Sequence, residues 1–85
     1  MNKLQRIVAF YEDAGIEFTA IEGFDKAVIG VEEHDMRLVY SRSKIIKILM
    51  NEQGMDELEA REWFAYNIWM GYVGPSTPIF CLDDM

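Results

Sequence analysis

The apolar residues at the start of the chain recur three and four positions apart, at Leu4, Ile7, Val8 and Tyr11. This spacing predicts a first helix, which the side chain of Asn2 can cap and which Gly15 can end. Residues 16–20 follow with apolar side chains at alternate positions. That alternation predicts either a short edge strand or an extended connection.

Residues 26–41 contain two runs of β-forming residues on either side of the polar segment Glu32–Asp35. This is the pattern of an antiparallel hairpin. The first run carries apolar residues on both faces, so we expect one face to pack on the helices. The first helix or a second subunit would then partly cover the other face. Gly30, inside the run, predicts a bulge or a close approach of another backbone.

A second helix is predicted to follow the hairpin at once. Ser41 or Ser43 can cap its amino end, because a serine hydroxyl accepts a hydrogen bond from the first free backbone N–H groups. Gly54 is suited to end it.

A third helix is predicted to begin near residue 57, because Asp56 and Glu59 have the spacing of a capping box. Gly71 or Gly74 would end this helix. The segment 77–82 then predicts a short final strand that starts near a proline.

These elements predict an α+β fold in which a small antiparallel sheet, formed by the hairpin and the C-terminal strand, packs against three helices. Residues 1–85 are expected to form a single domain. The predicted core includes Ile45, Ile46, Leu49, Phe64 and Ile68.

The chain is acidic, with a formal net charge of −7, and the charge is unevenly distributed. After residue 50, Arg61 is the only basic residue, and the acidic ones are Glu52, Asp56, Glu57, Glu59, Glu62, Asp83 and Asp84. Direct binding to nucleic acid is not expected, because phosphate groups are held by clustered Lys and Arg. Such a surface either attracts a basic protein or simply confers solubility.

Several other classes of protein are not expected from the composition. No apolar run has the length of a membrane span, and charges interrupt the apolar residues of the N-terminus, so we predict a cytoplasmic protein. Cys81 and His34 are the only residues of their kinds, which excludes an internal disulfide and a Cys/His zinc site within one chain.

Catalytic chemistry has weak support in the sequence. The cluster Glu32–Asp35 could bind a divalent cation or perform acid–base chemistry, but a solvated turn is the better interpretation. Cys81 is expected to be a buried, inert thiol. Asn67 is expected to brace the loop at 74–78 in preference to recognising a ligand. We predict no metal, no cofactor and no enzymatic activity.

The runs 25–31 and 43–80, which together span about two thirds of the chain, resemble a group of small bacteriophage and bacterial proteins. The resemblance rests on Ile48-Leu49-Met50, Gly54-Met55, Glu57, Glu59, Trp63-Phe64, Asn67, Gly71, Gly74 and Thr77-Pro78. It implies a phage or mobile-element origin, and therefore the host cytoplasm as location. It provides no catalytic residues.

Residues 62–80 contain six aromatic rings, which is more than one face of a helix can bury. At about 100° per residue, one side of the third helix carries Ala60, Phe64, Ile68 and Gly71, which should face the core. Glu59, Glu62 and Tyr66 lie on the other side. Trp69 and Val73 extend this second stripe, unless Trp69 folds back onto the first helix or the loop at 74–78.

The predicted partner-binding residues are Tyr66, Trp69, Val73, Glu59 and Glu62. The favoured hypothesis is a non-enzymatic, phage-type protein-binding module that inhibits a host defence or nucleic-acid-handling protein. The alternative is a homo-oligomeric structural or accessory domain in which a second copy covers the exposed rings. An enzyme that uses carboxylates is the least favoured of the three.

Overall fold

The computed structural model describes residues 1–69, 71, 74 and 76–83, with Trp69 described by its backbone. The main elements, in chain order, are α1 (Lys3–Phe10), β1 (Val28–Glu32), β2 (Arg37–Ser41), α2 (Arg42–Glu52), α3 (Glu57–Phe64) and β3 (Ile79–Cys81). Short 3₁₀ turns cover Glu12–Ala14 and Asp25–Ala27, and a π-helical turn, Ala65–Trp69, continues α3. The predicted α+β class is confirmed.

The sheet has the order β1-β2-β3 and is mixed. β1 and β2 form the predicted antiparallel hairpin, but β3 runs parallel to β2, with Tyr40 opposite Phe80. The prediction of an antiparallel sheet was therefore wrong for the third strand. β2 leads directly into α2, and α2 and α3 return the chain so that β3 lies beside residues 39–41 of β2. A long helical crossover of this kind is what parallel strands require.

The register of β1 is irregular between Val28 and Gly30, which confirms the predicted bulge. A Cβ atom added to Gly30 would have no neighbour within 4 Å, so the glycine does not serve a close approach of another backbone. Helix α1 packs against β1 and supplies the expected cover from the first helix.

The central strand β2 is the most deeply buried element. Leu38, Tyr40 and Ser41 are 0% exposed. The buried hydroxyl of Tyr40 accepts a hydrogen bond of 2.8 Å from the backbone N–H of Ile21. This bond ties the segment that follows residues 16–20 to the core, and residues 16–20 themselves form neither a helix nor a strand. Of the two predicted alternatives, the edge strand is therefore not observed, and these residues are a connection.

The predicted core residues are all buried. The cluster consists of Phe24, Ala27, Val28, Leu38, Tyr40, Ile45, Ile46, Leu49, Ala60, Phe64 and Ile68. The predicted caps are also present. Asn2 caps α1, and Asp56 forms the expected capping box with Glu59.

The amino end of α2 is held by a small hydrogen-bond network. The Ser41 hydroxyl accepts from the backbone N–H of Lys44 at 3.1 Å and donates to Oδ2 of Asp83 at 2.5 Å. The other carboxylate oxygen of Asp83 accepts from the backbone N–H of Ser43 at 3.0 Å. One serine and one aspartate therefore join the end of β2, the start of α2 and the residues after β3.

Replacing Ser41 by alanine should lower the free energy of unfolding by about 1–2 kcal/mol, because a helix cap and a buried hydrogen bond are both lost. Urea denaturation followed by circular dichroism measures this change. Ser43→Ala is the comparison, since it removes a hydroxyl 3.1 Å from that of Ser41 and leaves the bonds from Ser41 to Lys44 and Asp83 in place. Equal destabilisation by the two substitutions would contradict the role assigned to Ser41.

The same network makes stability depend on pH. The Ser41 hydroxyl and then the Ser43 backbone N–H lower the pKa of Asp83 to about 2. Because the folded pKa lies below the unfolded value of about 3.9, the stabilisation is complete above about pH 4 and is lost as the pH falls towards 2.

Asp83→Asn should therefore lower the melting temperature at neutral pH. The difference from the wild type should shrink between about pH 4 and pH 2, as the wild-type carboxylate becomes protonated. Thermal melts of both proteins across this range provide the measurement. A difference that does not change with pH would show that the charge of Asp83 is not what stabilises the network.

Candidate protein-binding site

Helix α3 presents two chemically distinct faces. Ala60, Phe64 and Ile68 are buried, whereas Glu59 and Glu62 are exposed, as the helical spacing predicts. Tyr66 is also on the exposed face, with 77% of its surface accessible. The predicted faces of this helix are therefore confirmed for these residues.

Gly71 was expected on the core side and is exposed. The expectation assumed an unbroken α-helix, but the turn Ala65–Trp69 is π-helical. A π turn contains more residues than an α turn, so the angle per residue changes and faces extrapolated beyond it are displaced.

Glu59, Glu62 and Tyr66 line one shallow groove of about 240 Å³ together with Met55, Trp63 and Asn67. We call it the α3 groove. The structure thus brings together three of the five residues predicted to bind a partner. The side chain of Trp69 and the whole of Val73 lie outside the described residues, so their part in the site stays a prediction.

Trp63 is the aromatic residue of this groove that was not among the predicted partner-binding residues. Its ring is 37% exposed and packs on the buried ring of Phe24, with centroids 6.4 Å apart. The signal was present, because Trp63 follows Glu59 by four positions and precedes Tyr66 by three, the spacing of neighbours on a helix surface.

A second groove, of about 320 Å³, lies beside the first, and we call it the α2 groove. It is lined by Glu22, Gly23, Phe24, Ile48, Leu49, Glu52, Gln53, Met55 and Trp63. Met55 and Trp63 line both grooves. The two grooves therefore form one continuous surface with an aromatic ring near its middle.

The rim of this surface carries negative charge. Glu59 accepts a hydrogen bond from the backbone N–H of Asp56 at 3.3 Å, yet its residue remains exposed. Glu62 forms no ion pair with any of the described residues. Lys26 approaches Glu52 at 3.9 Å, and both side chains are largely exposed. The arrangement can attract and bind cationic groups.

Among the described residues, the hydrogen bond of the Asn67 side chain differs from the predicted bracing of the loop at 74–78. Its side-chain amide donates to the backbone carbonyl of Trp63 at 3.0 Å, within its own helical segment. No bond from Asn67 to the described residues of the loop at 74–78 is found. The amide therefore supports the end of α3, next to the groove.

The acidic turn of the hairpin has the features of an ordinary turn. The carboxylate of Glu32 accepts from the backbone N–H groups of Asp35 at 3.0 Å and His34 at 2.7 Å. The bond from Asp35 is the main cause of the lowered pKa of Glu32. In the part of the chain that is described, no group of three or more His, Cys, Asp or Glu residues could hold a metal ion.

Cys81 was predicted to be buried and is only half-buried. It lies on β3, at the edge of the sheet, where a strand has a neighbour on one side alone. The prediction overestimated how much of this short strand the helices cover.

Among the described residues, no helix has both the length and the apolar character needed to cross a lipid bilayer.

In comparisons with known proteins, no family model matches the chain, and no curated protein or solved structure shows significant similarity to it. The candidate site is therefore defined by its own geometry and charge.

Two substitutions on opposite faces of α3 test this assignment. Phe64→Ser should destabilise the protein by about 3–5 kcal/mol or more, because it removes a buried ring and buries a hydroxyl. Tyr66→Ser should change stability by only about 0.5 kcal/mol, as expected for an exposed side chain. Urea denaturation of both variants would measure the two effects, and similar losses would mean that the faces of α3 are wrongly assigned.

Proposed function

We propose that this protein is a non-enzymatic protein-binding module that holds a basic partner on the α3 groove. The observation that carries the proposal is the convergence of Glu59, Glu62 and Tyr66 on one groove with the exposed ring of Trp63. Tyr and Trp are enriched among the residues that contribute most to protein interfaces. Each has a large apolar body and a polar group that remains hydrogen-bonded in a wet interface.

The charge of the chain supports a basic partner. A net charge of −7, with acidic residues concentrated after residue 50, accelerates association with a positively charged surface and repels nucleic acid. The resemblance to small bacteriophage proteins supports a target in the host cytoplasm. A host defence or nucleic-acid-handling protein would offer a basic surface that normally holds nucleic acid. Bound to that surface, the present protein would compete with nucleic acid and so inhibit its target.

A second candidate function is self-association, in which another copy covers the exposed rings. The observation that favours it is the exposure of Lys44 and Lys47 on α2, since these side chains provide the opposite charge on the same molecule. Exposed Leu58, on α3, would add apolar area to such a contact.

Light scattering during gel filtration at low micromolar concentration separates the two functions. The favoured function predicts a monomer. It also predicts that a host protein captured by the wild type is released when Tyr66→Ser or Glu62→Lys is introduced. Glu12→Lys is the control, because it makes the same charge change at an exposed position outside the groove.

Capture that survives Tyr66→Ser, or that Glu12→Lys weakens as much as Glu62→Lys, would contradict the proposed site. A stable oligomer of the wild type that Tyr66→Ser dissociates into monomers would instead support self-association.

A further inference from the structure

Trp63 occupies a special position between the two grooves. Its ring is 37% exposed, and its packing on Phe24 fixes where the exposed part lies. On one side, the α3 groove contributes the carboxylates of Glu59 and Glu62. On the other side, the α2 groove contributes Glu22 and Glu52. A partly exposed aromatic ring with carboxylates on both sides is a favourable environment for a cation.

No Lys or Arg is among the described residues that line either groove. Lys26 lies at the rim of the α2 groove, where its Nζ is 3.9 Å from Oε2 of Glu52. The side chains are 80% and 52% exposed, and an ion pair so exposed to water contributes little to stability. A cation from a partner can therefore replace Lys26 at Glu52 at small cost.

We infer that Trp63 and the carboxylates on its two sides form a subsite for one arginine side chain of a basic partner polypeptide. This inference rests on the proposed function and identifies the partner chemistry that the site selects. Arginine fits better than lysine, because its planar guanidinium group can stack on the indole ring while its N–H groups bond a carboxylate in a bidentate manner. The apolar side chain of Met55, shared by both grooves, would contact the methylene groups of the arginine.

The test uses the full wild-type chain; because the sequence contains two tryptophans, comparison with the Trp69→Phe variant assigns the indole N–H resonance of Trp63. The probe is the capped peptide Gly-Arg-Gly-Arg-Gly at low ionic strength, with the indole N–H of Trp63 followed by NMR. The matched control peptide contains citrulline in place of arginine, which keeps the shape and removes the charge. We expect the arginine peptide to shift this resonance in a saturable manner. The citrulline peptide should bind with an affinity at least about tenfold lower than that of the arginine peptide.

Matched variants separate the subsite from the general charge of the chain. Glu22→Gln combined with Glu62→Gln removes one carboxylate from each groove and should weaken binding about fivefold or more. Glu12→Gln combined with Asp13→Asn removes the same charge at exposed positions outside both grooves and should weaken binding less than about twofold. Lys26→Gln should tighten binding about two- to threefold, because it removes the competing ammonium group.

Equal binding of the citrulline peptide, or equal weakening by the two double variants, would overturn the subsite. The proposed function is tested separately. If the arginine peptide does not shift the Trp63 indole but Tyr66→Ser still abolishes partner capture, the α3 groove stands as the interface and the arginine subsite fails. If the peptide binds at Trp63 but Tyr66→Ser leaves capture intact, the subsite stands and the proposed interface fails.

Discussion

Ser41 ends β2 and precedes the first residue of α2, and its hydroxyl is 0% exposed. A buried hydroxyl destabilises a fold unless it is hydrogen-bonded. Here it accepts from the start of α2 and donates to Asp83, which lies beyond β3. The strand, the helix and the C-terminal segment are thus joined through one side chain. A domain of 85 residues has a small core, so few other contacts hold the ends of its elements together. The parallel register of β3 and the position of α2 therefore depend strongly on this contact.

The candidate site depends on that arrangement through α3. Phe64 packs edge-on against Phe80 of β3, with ring centroids 5.3 Å apart, and the guanidinium of Arg42 lies 5.7 Å from the centre of the Phe64 ring. These contacts hold one face of α3 against the sheet and the start of α2. The opposite face, with Glu62 and Tyr66, is then turned outward on a helix rather than on a loop. Its geometry is set by these contacts, and a preformed surface would reduce the entropy cost of binding the proposed partner.

Local features of the fold could be predicted from the sequence, because neighbouring residues determine them. The Asp56 and Glu59 capping box, the Gly30 bulge and the buried stripe of α3 are of this kind. The direction of β3 could not be predicted in the same way, since the path of the chain between strands decides it. The helical spacing already places Trp63 beside Glu59 and Tyr66, but the packing of its ring on Phe24 joins residues distant in sequence and could not be predicted. Gly71 was assigned to the wrong face of the helix because the sequence pattern does not predict the π-helical turn Ala65–Trp69.

The charge around the exposed rings also bears on the kind of partner. In a symmetric dimer the same patch meets itself across a two-fold axis. Such a contact through the α3 groove would bring Glu59 and Glu62 of one copy against the same residues of the other, and like charges brought together in an interface disfavour association. Self-association through this groove would therefore have to use a different surface of the second copy, such as the lysines of α2. Head-to-tail contacts of that kind form a ring or continue as a filament. A basic partner of another sequence brings no like charges to the groove and forms no ring or filament. For that reason the charge of the groove supports a complex with a different protein.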